Sequence, residues 1–231
     1  MISVCMATYN GEKYIKEQID SILVQLNPDD ELIISDDGSI DGTLDIIKEV
    51  HDPRIKLYNF DSHCYTKNFE NALSQAKGDY IFLSDQDDIW IDGKVQASIS
   101  ALQDADLVVT DAVVINENKN ILSQSYFKQL KVKTGFIRNV IATRYIGACM
   151  AFKKDVLKSV LPIPHNQYIA HDYWIACVCE KKYRVELINK PYIMYRRHTG
   201  NASTGVSGKS NMSVIKRVIK RFYLMNYLMG R

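Results

Sequence analysis

The 231-residue sequence has no run of about 18 apolar residues, so nothing in it reads as a membrane-spanning helix. Met1 leads straight into Ile2-Ser3-Val4-Cys5-Met6-Ala7, without the basic start and small-residue cleavage site of a secretory leader. Excess charge of either sign is also missing. With 29 Lys and Arg against 27 Asp and Glu, the net charge of +2 supplies no general attraction to nucleic acid. Proline is scarce, and neither an internal repeat nor an obvious linker is present. No Gly-x-Gly-x-x-Gly follows the first apolar run, which argues against a dinucleotide fold. Nor is there a phosphate-binding Gly-x-x-x-x-Gly-Lys-[Ser/Thr] loop of the nucleotide triphosphatases. The five cysteines are an odd number, and Cys177-x-Cys179 has no second pair or suitably spaced His to complete a zinc site. They read as small core residues in a reducing, cytoplasmic setting.

What the chain does have is an alternation of apolar runs and helical periods. Ile2–Ala7 reads as a buried strand, and Ile15, Ile19, Ile22, Leu23 and Leu26 then recur at helical spacing until Asn27-Pro28. Strands follow at Glu31–Ser35, Arg54–Phe60 and Asp79–Ser84. Between them lie a helix through Leu44, Ile47 and Val50 with Asp41 as a candidate cap, and a helix over Lys67–Ala76. This order predicts an α/β fold with a mostly parallel, doubly wound sheet flanked by helices. Ligands of such sheets bind beyond the carboxyl ends of the strands. The second half is less regular. Strands are expected at Ala105–Ile115, Ile146–Phe152 and Tyr183–Ile188, and a helix at Ala170–Glu180. A polar stretch holds Tyr126 and Phe127, and Tyr195–Gly208 reads as a loop.

The polar motifs fall at the expected strand ends. Asp85, Asp87 and Asp88 place three carboxylates within four residues, an arrangement that costs energy unless a cation lies among them. A hard divalent ion such as Mg²⁺ or Mn²⁺ is one answer, and an acidic turn facing solvent is the other. Asp36-Asp37-Gly38-Ser39 closes the second strand. An aspartate there suits hydrogen bonding to a base or ribose, and equally a turn that caps the next helix.

Three blocks, Ala7-Thr8-Tyr9-Asn10-Gly11, Asp36-Asp37-Gly38-Ser39-x-Asp41-Gly42-Thr43 and Ser84-Asp85-Gln86-Asp87-Asp88-Ile89-Trp90, resemble in order and spacing the inverting family-2 glycosyltransferases. The last block is similar to that of a bacterial subgroup rich in rhamnosyltransferases of surface-polysaccharide synthesis. The likeness resumes at Gly147-Ala148-Cys149, His171-Asp172-Tyr173-Trp174 and Tyr195-Arg196-Arg197-His198-x-Gly200-Asn201. Each block alone is weak, and the ordered set is strong.

The resemblance implies a GT-A-type, Rossmann-like domain over residues 1–208. Residues 1–115 would bind the nucleotide sugar and 116–208 the acceptor, with 116–146 and 199–210 framing the acceptor site. Thr8, Tyr9 and Asp37 would hold the nucleoside, with Glu12 assisting. Asp85 and Asp87 would form the Asp-x-Asp motif that meets the donor and a divalent metal (Mn or Mg), Asp87 being the direct ligand. Asp172 would be the catalytic base, and its bland reading is an acid at a helix N-terminus. His198 would approach the metal or diphosphate, or stand as a surface histidine. Arg196 and Arg197 would neutralise diphosphate oxygens, or lie exposed. The donor implied is a dTDP-sugar such as dTDP-rhamnose, or a UDP-sugar, and the acceptor is a hydroxyl of a glycan or lipid-linked oligosaccharide. Two other classes share these residues: a hydrolase using a carboxylate pair, Asp87 and Asp172, and a catalytically silent nucleotide-sugar binder.

In residues 209–231, Val214, Ile215, Val218, Ile219 and Phe222 share one helical face, opposite Lys216, Arg217, Lys220 and Arg221. Such a helix suits the anionic inner face of a membrane, packing against the domain, or pairing with another subunit.

Overall fold

The computed structural model describes residues 1–198 and 213–230. Expectations placed on residues 199–212, among them Gly200, Asn201 and the loop through Gly208, lie outside the described residues. The first half forms β1 (Ile2–Thr8), α1 (Ile15–Leu23), β2 (Glu31–Asp36), α2 (Thr43–Glu49), β3 (Ile55–Asn59), α3 (Tyr65–Ser74) and β4 (Tyr80–Ser84). Next come β5 (Ile89–Trp90), α4 (Lys94–Ala101), β6 (Leu107–Asn116), β7 (Ile121–Ser123), α5 (Tyr126–Leu130) and α6 (Phe136–Ala142). The remainder is β8 (Met150–Lys153), α7 (Leu157–Val160), α8 (His171–Lys182), β9 (Val185–Arg197) and α9 (Val214–Met229).

Among the described residues nine strands join one sheet in the order β3-β2-β1-β4-β8-β6-β9-β5, with β7 beside β6. Strands β1 to β4 are parallel. β8 runs antiparallel between β4 and β6, and β9 lies parallel to β6. The carboxyl ends of β1, β2, β4, β6 and β9 therefore meet on one edge.

The central strands are apolar on both faces because helices cover both. Val4, Cys5 and Met6 of β1 and Leu32, Ile33 and Ile34 of β2 are fully buried. Helix α1 presents Ile15, Ile19 and Ile22 to that core, all at 0% exposure. Each such side chain contributes about 1.5–3 kcal/mol on leaving water. Cys5, Cys149, Cys177 and Cys179 are buried free thiols, as core residues should be, whereas Cys64, just before α3, is only half-buried and is not a core residue. Burial pushes the Cys149 and Cys177 thiols up to about 12, which keeps them protonated and inert.

The second half departs from expectation in three places, and its last helix takes one of the three forms expected of it. Gly147–Cys149 is a 3-10 turn, and only Met150–Lys153 of the expected strand pairs in the sheet. β9 runs on to Arg197, well past Ile188. Its ladder with β6 shifts opposite Pro191, a residue with no N–H to donate, and resumes at Met194. Tyr126 and Phe127 are buried in α5 rather than solvated, because Asp111 accepts from Phe127 N (2.8 Å) and Ser125 caps the helix. Helix α9 packs back on the domain through Leu224 and Leu228, and its basic face takes part in that packing. Lys220 Nζ sits 3.8 Å over the Tyr173 ring, and Arg221 donates to the Ile141 carbonyl at 2.7 Å. Among the described residues no helix is long and apolar enough to cross a membrane.

Candidate active site

The strand ends converge on a cavity of about 580 Å³. Seven of the ten expected site residues line it: Thr8, Tyr9, Asp37, Asp85, Asp87, Asp172 and His198. Glu12, Arg196 and Arg197 do not.

β1 delivers Thr8 and Tyr9, and Gln86 locks them to the acidic turn. Its Oε1 accepts from Thr8 Oγ1 (2.5 Å) and Tyr9 N (2.9 Å), while its Nε2 donates to Tyr9 O (3.0 Å). One amide thus fixes the end of β1 against the end of β4. Asn68 Nδ2 holds Thr8 O from below at 3.0 Å. At the end of β2, Asp36 accepts from the amides of Gly38 and Ser39, and Gly38 at φ 81° makes the tight reversal. Asp37 faces the cavity, and its Oδ1 accepts from Ser62 N (2.6 Å) and His63 N (3.1 Å), its Oδ2 from Cys64 N (2.9 Å). The loop before α3 is shaped around that carboxylate. Glu12 stands outside the cavity, where its Oε2 accepts from Gly42 N at 2.8 Å and ties the β1 loop to α2. Asp41 accepts from Thr43 N at 3.0 Å, so it caps α2 from one residue upstream.

The acidic turn gathers its charge tightly. Carboxylate oxygens of Asp85, Asp87 and Asp88 lie within 4.8 Å of one another. Burial, then Asp87 and Asp172, push Asp85 up to about 7, while Lys94 pulls it back. Asp88 is pushed well above the carboxylate range by burial and by its two neighbours. Its Oδ1 accepts from Arg196 N at 2.9 Å, and its buried Oδ2 has no hydrogen-bond partner among the described residues. Three hard oxygen donors, one of them orphaned, fit a divalent cation.

Two buried cations support this turn from beneath. Lys94 is fully buried, donates to Ala148 O at 2.6 Å and lies 4.5 Å over the Trp90 ring. Burial lowers its pKa to about 8. Arg196 is 1% exposed, with Nε on Asp87 O (2.8 Å), one terminal nitrogen on Glu17 Oε2 (2.8 Å) and its plane over Tyr14. Arg197 donates to the Tyr195 hydroxyl at 2.9 Å.

The opposite wall comes from α8. Asp172 stands in its first turn, and its Oδ1 accepts from Tyr173 N at 2.6 Å. Beside it His171 is buried, stacked 3.8 Å from the Phe69 ring, and neither ring nitrogen has a hydrogen-bond partner among the described residues. Gly147 makes this fit possible, because a Cβ there would stand 2.8 Å from His171 Nε2 and 3.4 Å from Asp172 Cβ. Sequence reasoning missed Gln86, Lys94, His171 and the orphaned oxygen of Asp88 as site residues. Asp88 carried a signal as the third member of its acidic run, and Gln86 and His171 as members of the ordered motif blocks, whereas Lys94 carried none.

The sequence pattern of Glycosyl transferase family 2 matches residues 3–161. The chain belongs to glycosyl transferase family 2. That membership makes it a glycosyltransferase and sets the hydrolase reading aside. An uncharacterized glycosyltransferase of Nostoc sp. is 25% identical over 211 residues, 87% of this chain and 66% of its own. The dTDP-rhamnosyl transferase RfbG of Shigella flexneri is 27% identical over 94% of this chain and 80% of its own. An Escherichia coli glucosyltransferase, WfgD, which uses UDP-Glc and a GlcNAc-diphosphoundecaprenol, is 37% identical over 44% of this chain and 41% of its own. Among solved structures, S. aureus TarS 1–349 with UDP-GlcNAc superposes at TM-score 0.71 and 17% identity, covering 99% of this chain and 72% of that one. A mannosyltransferase of Pyrobaculum calidifontis with GDP-Man and Mn²⁺ gives 0.63 at 22% identity, over 87% of this chain and 58% of that one. These likenesses show the GT-A fold of this family-2 enzyme. The chain spans about two thirds of the Nostoc relative's length.

Proposed function

We propose that this family-2 enzyme transfers a sugar, with inversion, from a nucleoside-diphosphate donor to a hydroxyl of a glycan or lipid-linked oligosaccharide. The observation that carries this reading is the meeting of the Asp85 and Asp87 carboxylates and Asp172 in one cavity with Thr8 and Asp37. The residues that would hold a divalent ion (Mn or Mg) are Asp85, Asp87 and Asp88, with His198 beside them. When bound, the ion supplies Lewis-acid stabilisation of the leaving diphosphate.

The chain's own residues account for the rest. Thr8, Tyr9 and Asp37 form the nucleoside wall, which Gln86 holds against the acidic turn. Asp172 takes the proton from the acceptor hydroxyl as its oxygen attacks the anomeric carbon. The new carbon–oxygen bond forms as the bond from that carbon to the diphosphate breaks, so one in-line step inverts the centre. Arg196, drawn under the turn, holds the Asp87 backbone in place, and Arg197 steadies the Tyr195 phenol on the cavity wall. The resemblance to a dTDP-rhamnosyl transferase and to a UDP-Glc enzyme makes dTDP-rhamnose and UDP-sugars the donors to try first. The named acceptor of the E. coli relative supports a lipid-linked acceptor and a cytoplasmic site at the membrane.

The test is a thermal-shift titration with dTDP, UDP and GDP, each with and without Mn²⁺, because a ligand of the native state raises its stability. One diphosphate should stabilise the protein only with metal, and Asp87→Ala should abolish the shift. Absence of a shift with every diphosphate would remove the chemical basis of the proposal.

A further inference from the structure

We infer that α6 and the outward side of α9 form one face that docks on an anionic lipid bilayer. Three observations converge on it. First, α9 is amphipathic in an unusual orientation. Its packed side is Leu224 and Leu228 with Lys220 and Arg221, whereas Ile215, Val218, Phe222 and Met225 recur at spacings of three and four on the exposed side. Phe222 is 63% exposed and Ile215 72%. Side chains on these spacings form a continuous stripe along one flank of a helix.

Second, the stripe continues onto a neighbouring element. α6 touches α9 through the Arg221–Ile141 hydrogen bond, and it exposes Ile137 and Ile141. Lys131, Lys133, Arg138 and Arg144 surround these two isoleucines in a shallow groove.

Third, charge is segregated along the chain. From Asn118 to Lys154 there are eight Lys or Arg and no Asp or Glu, and no acid follows Glu186. The near-zero net charge therefore hides acid-free stretches of sequence that supply both α6 and α9, beside an otherwise acidic remainder. Exposed aliphatic and aromatic groups ringed by cations match the acyl boundary and headgroups of an anionic leaflet. A second copy of the chain is the poorer occupant, because the same cations would face each other across a two-fold contact.

The placement has a functional consequence, which rests on the function proposed above. α9 lies along α8 through Lys220 on Tyr173 and the Lys181 bond to Leu228 O (2.6 Å), and α8 carries Asp172 at its start. A bilayer on this face brings a lipid-linked hydroxyl to the side of the cavity that holds the base.

The test is co-sedimentation of the whole chain with phosphatidylcholine vesicles and with vesicles containing about 30% phosphatidylglycerol, an anionic fraction of the kind that draws polybasic segments to a surface. Binding to the anionic vesicles should exceed binding to the neutral ones by about tenfold or more, and should fall as salt rises from about 0.1 to 0.5 M. Val218→Glu with Phe222→Glu should abolish it, and Lys131→Glu with Arg138→Glu should weaken it, with the melting temperature and the diphosphate-induced shift unchanged. Equal binding to both vesicle types, or none, overturns the inference. So does a dimer in sedimentation velocity that the Val218→Glu, Phe222→Glu pair splits, since a second copy would then cover the face. Lipid binding and nucleotide binding are read separately, so either proposal can fail alone.

Discussion

His198 Nε2 stands 2.7 Å from Asp87 Oδ2, joining the end of β9 to the acidic turn. Both side chains are nearly buried, at 15% and 13% exposure. A hydrogen bond to a charged group in so dry a place is stronger than one at the surface. His198→Ala should therefore loosen Asp87. The Mn²⁺ concentration giving half-maximal nucleotide stabilisation should rise about tenfold, a change of about 1.4 kcal/mol, close to the lower bound of about 1.5 kcal/mol for a hydrogen bond to a charged group. An unchanged metal requirement would place His198 outside the metal site.

Arg196 joins the Asp87 carbonyl to Glu17 while its own amide serves Asp88. Arg196→Met keeps bulk and removes the charge from beneath three carboxylates. Because Glu17 remains 38% exposed, the cost should be nearer 2 kcal/mol than the 3–5 of a fully buried pair. Arg196→Lys should recover little of it, since an ammonium lacks the planar fork. Chemical denaturation of the three proteins without metal checks both statements.

Burial lowers the His171 pKa from 6.5, against a weaker upward pull from Asp172. A depressed folded-state pKa means that the unfolded chain binds the extra proton more readily. Its contribution is thus complete above about pH 6.5 and is lost as pH falls below it toward the folded value. His171→Phe should remove that component, so its stability relative to wild type should improve as pH drops from 7 to 5. Parallel pH curves for the two proteins would show that His171 is not the group responsible.

Gly147 has contacts on one side that leave no room for a methyl group. Gly147→Ala should push His171 and Asp172 away from the cavity and lower kcat about 100-fold, as a displacement of about 1 Å at a reacting group can. The diphosphate-induced thermal shift should persist, because the nucleoside wall lies across the cavity on β1 and β2. Loss of nucleotide binding instead would mean the substitution had damaged the whole site.

The first half of the fold was legible because its signals are local. Ile15, Ile19 and Ile22 declare α1 by spacing, and β1, β2 and β4 are apolar runs ended by polar turns. The acidic turn and Asp172 were readable as ordered motifs. What escaped depends on partners far away in sequence. Tyr126 and Phe127 look like part of a polar stretch until Asp111 supplies hydrogen bonds for α5. The continuation of β9 past Pro191 depends on β6, which holds both sides of the interruption. Lys94 reads as an ordinary helix lysine, and only the packing of Ala148 and Trp90 around it reveals a buried cation. Arg196 reads as a diphosphate ligand by motif. Its position under Asp87 follows from Glu17 on α1, which no local pattern connects to it.

The most direct test of the account is Asp172→Asn, measured for sugar transfer from the donor whose diphosphate stabilises the protein, and for binding of that diphosphate with Mn²⁺. The kcat should fall by about 100- to 10,000-fold while diphosphate affinity stays within about twofold, as expected for loss of a general base opposite an intact donor site. Near-normal turnover in Asp172→Asn would contradict it, because Asp172 would then not be the group that takes the acceptor's proton.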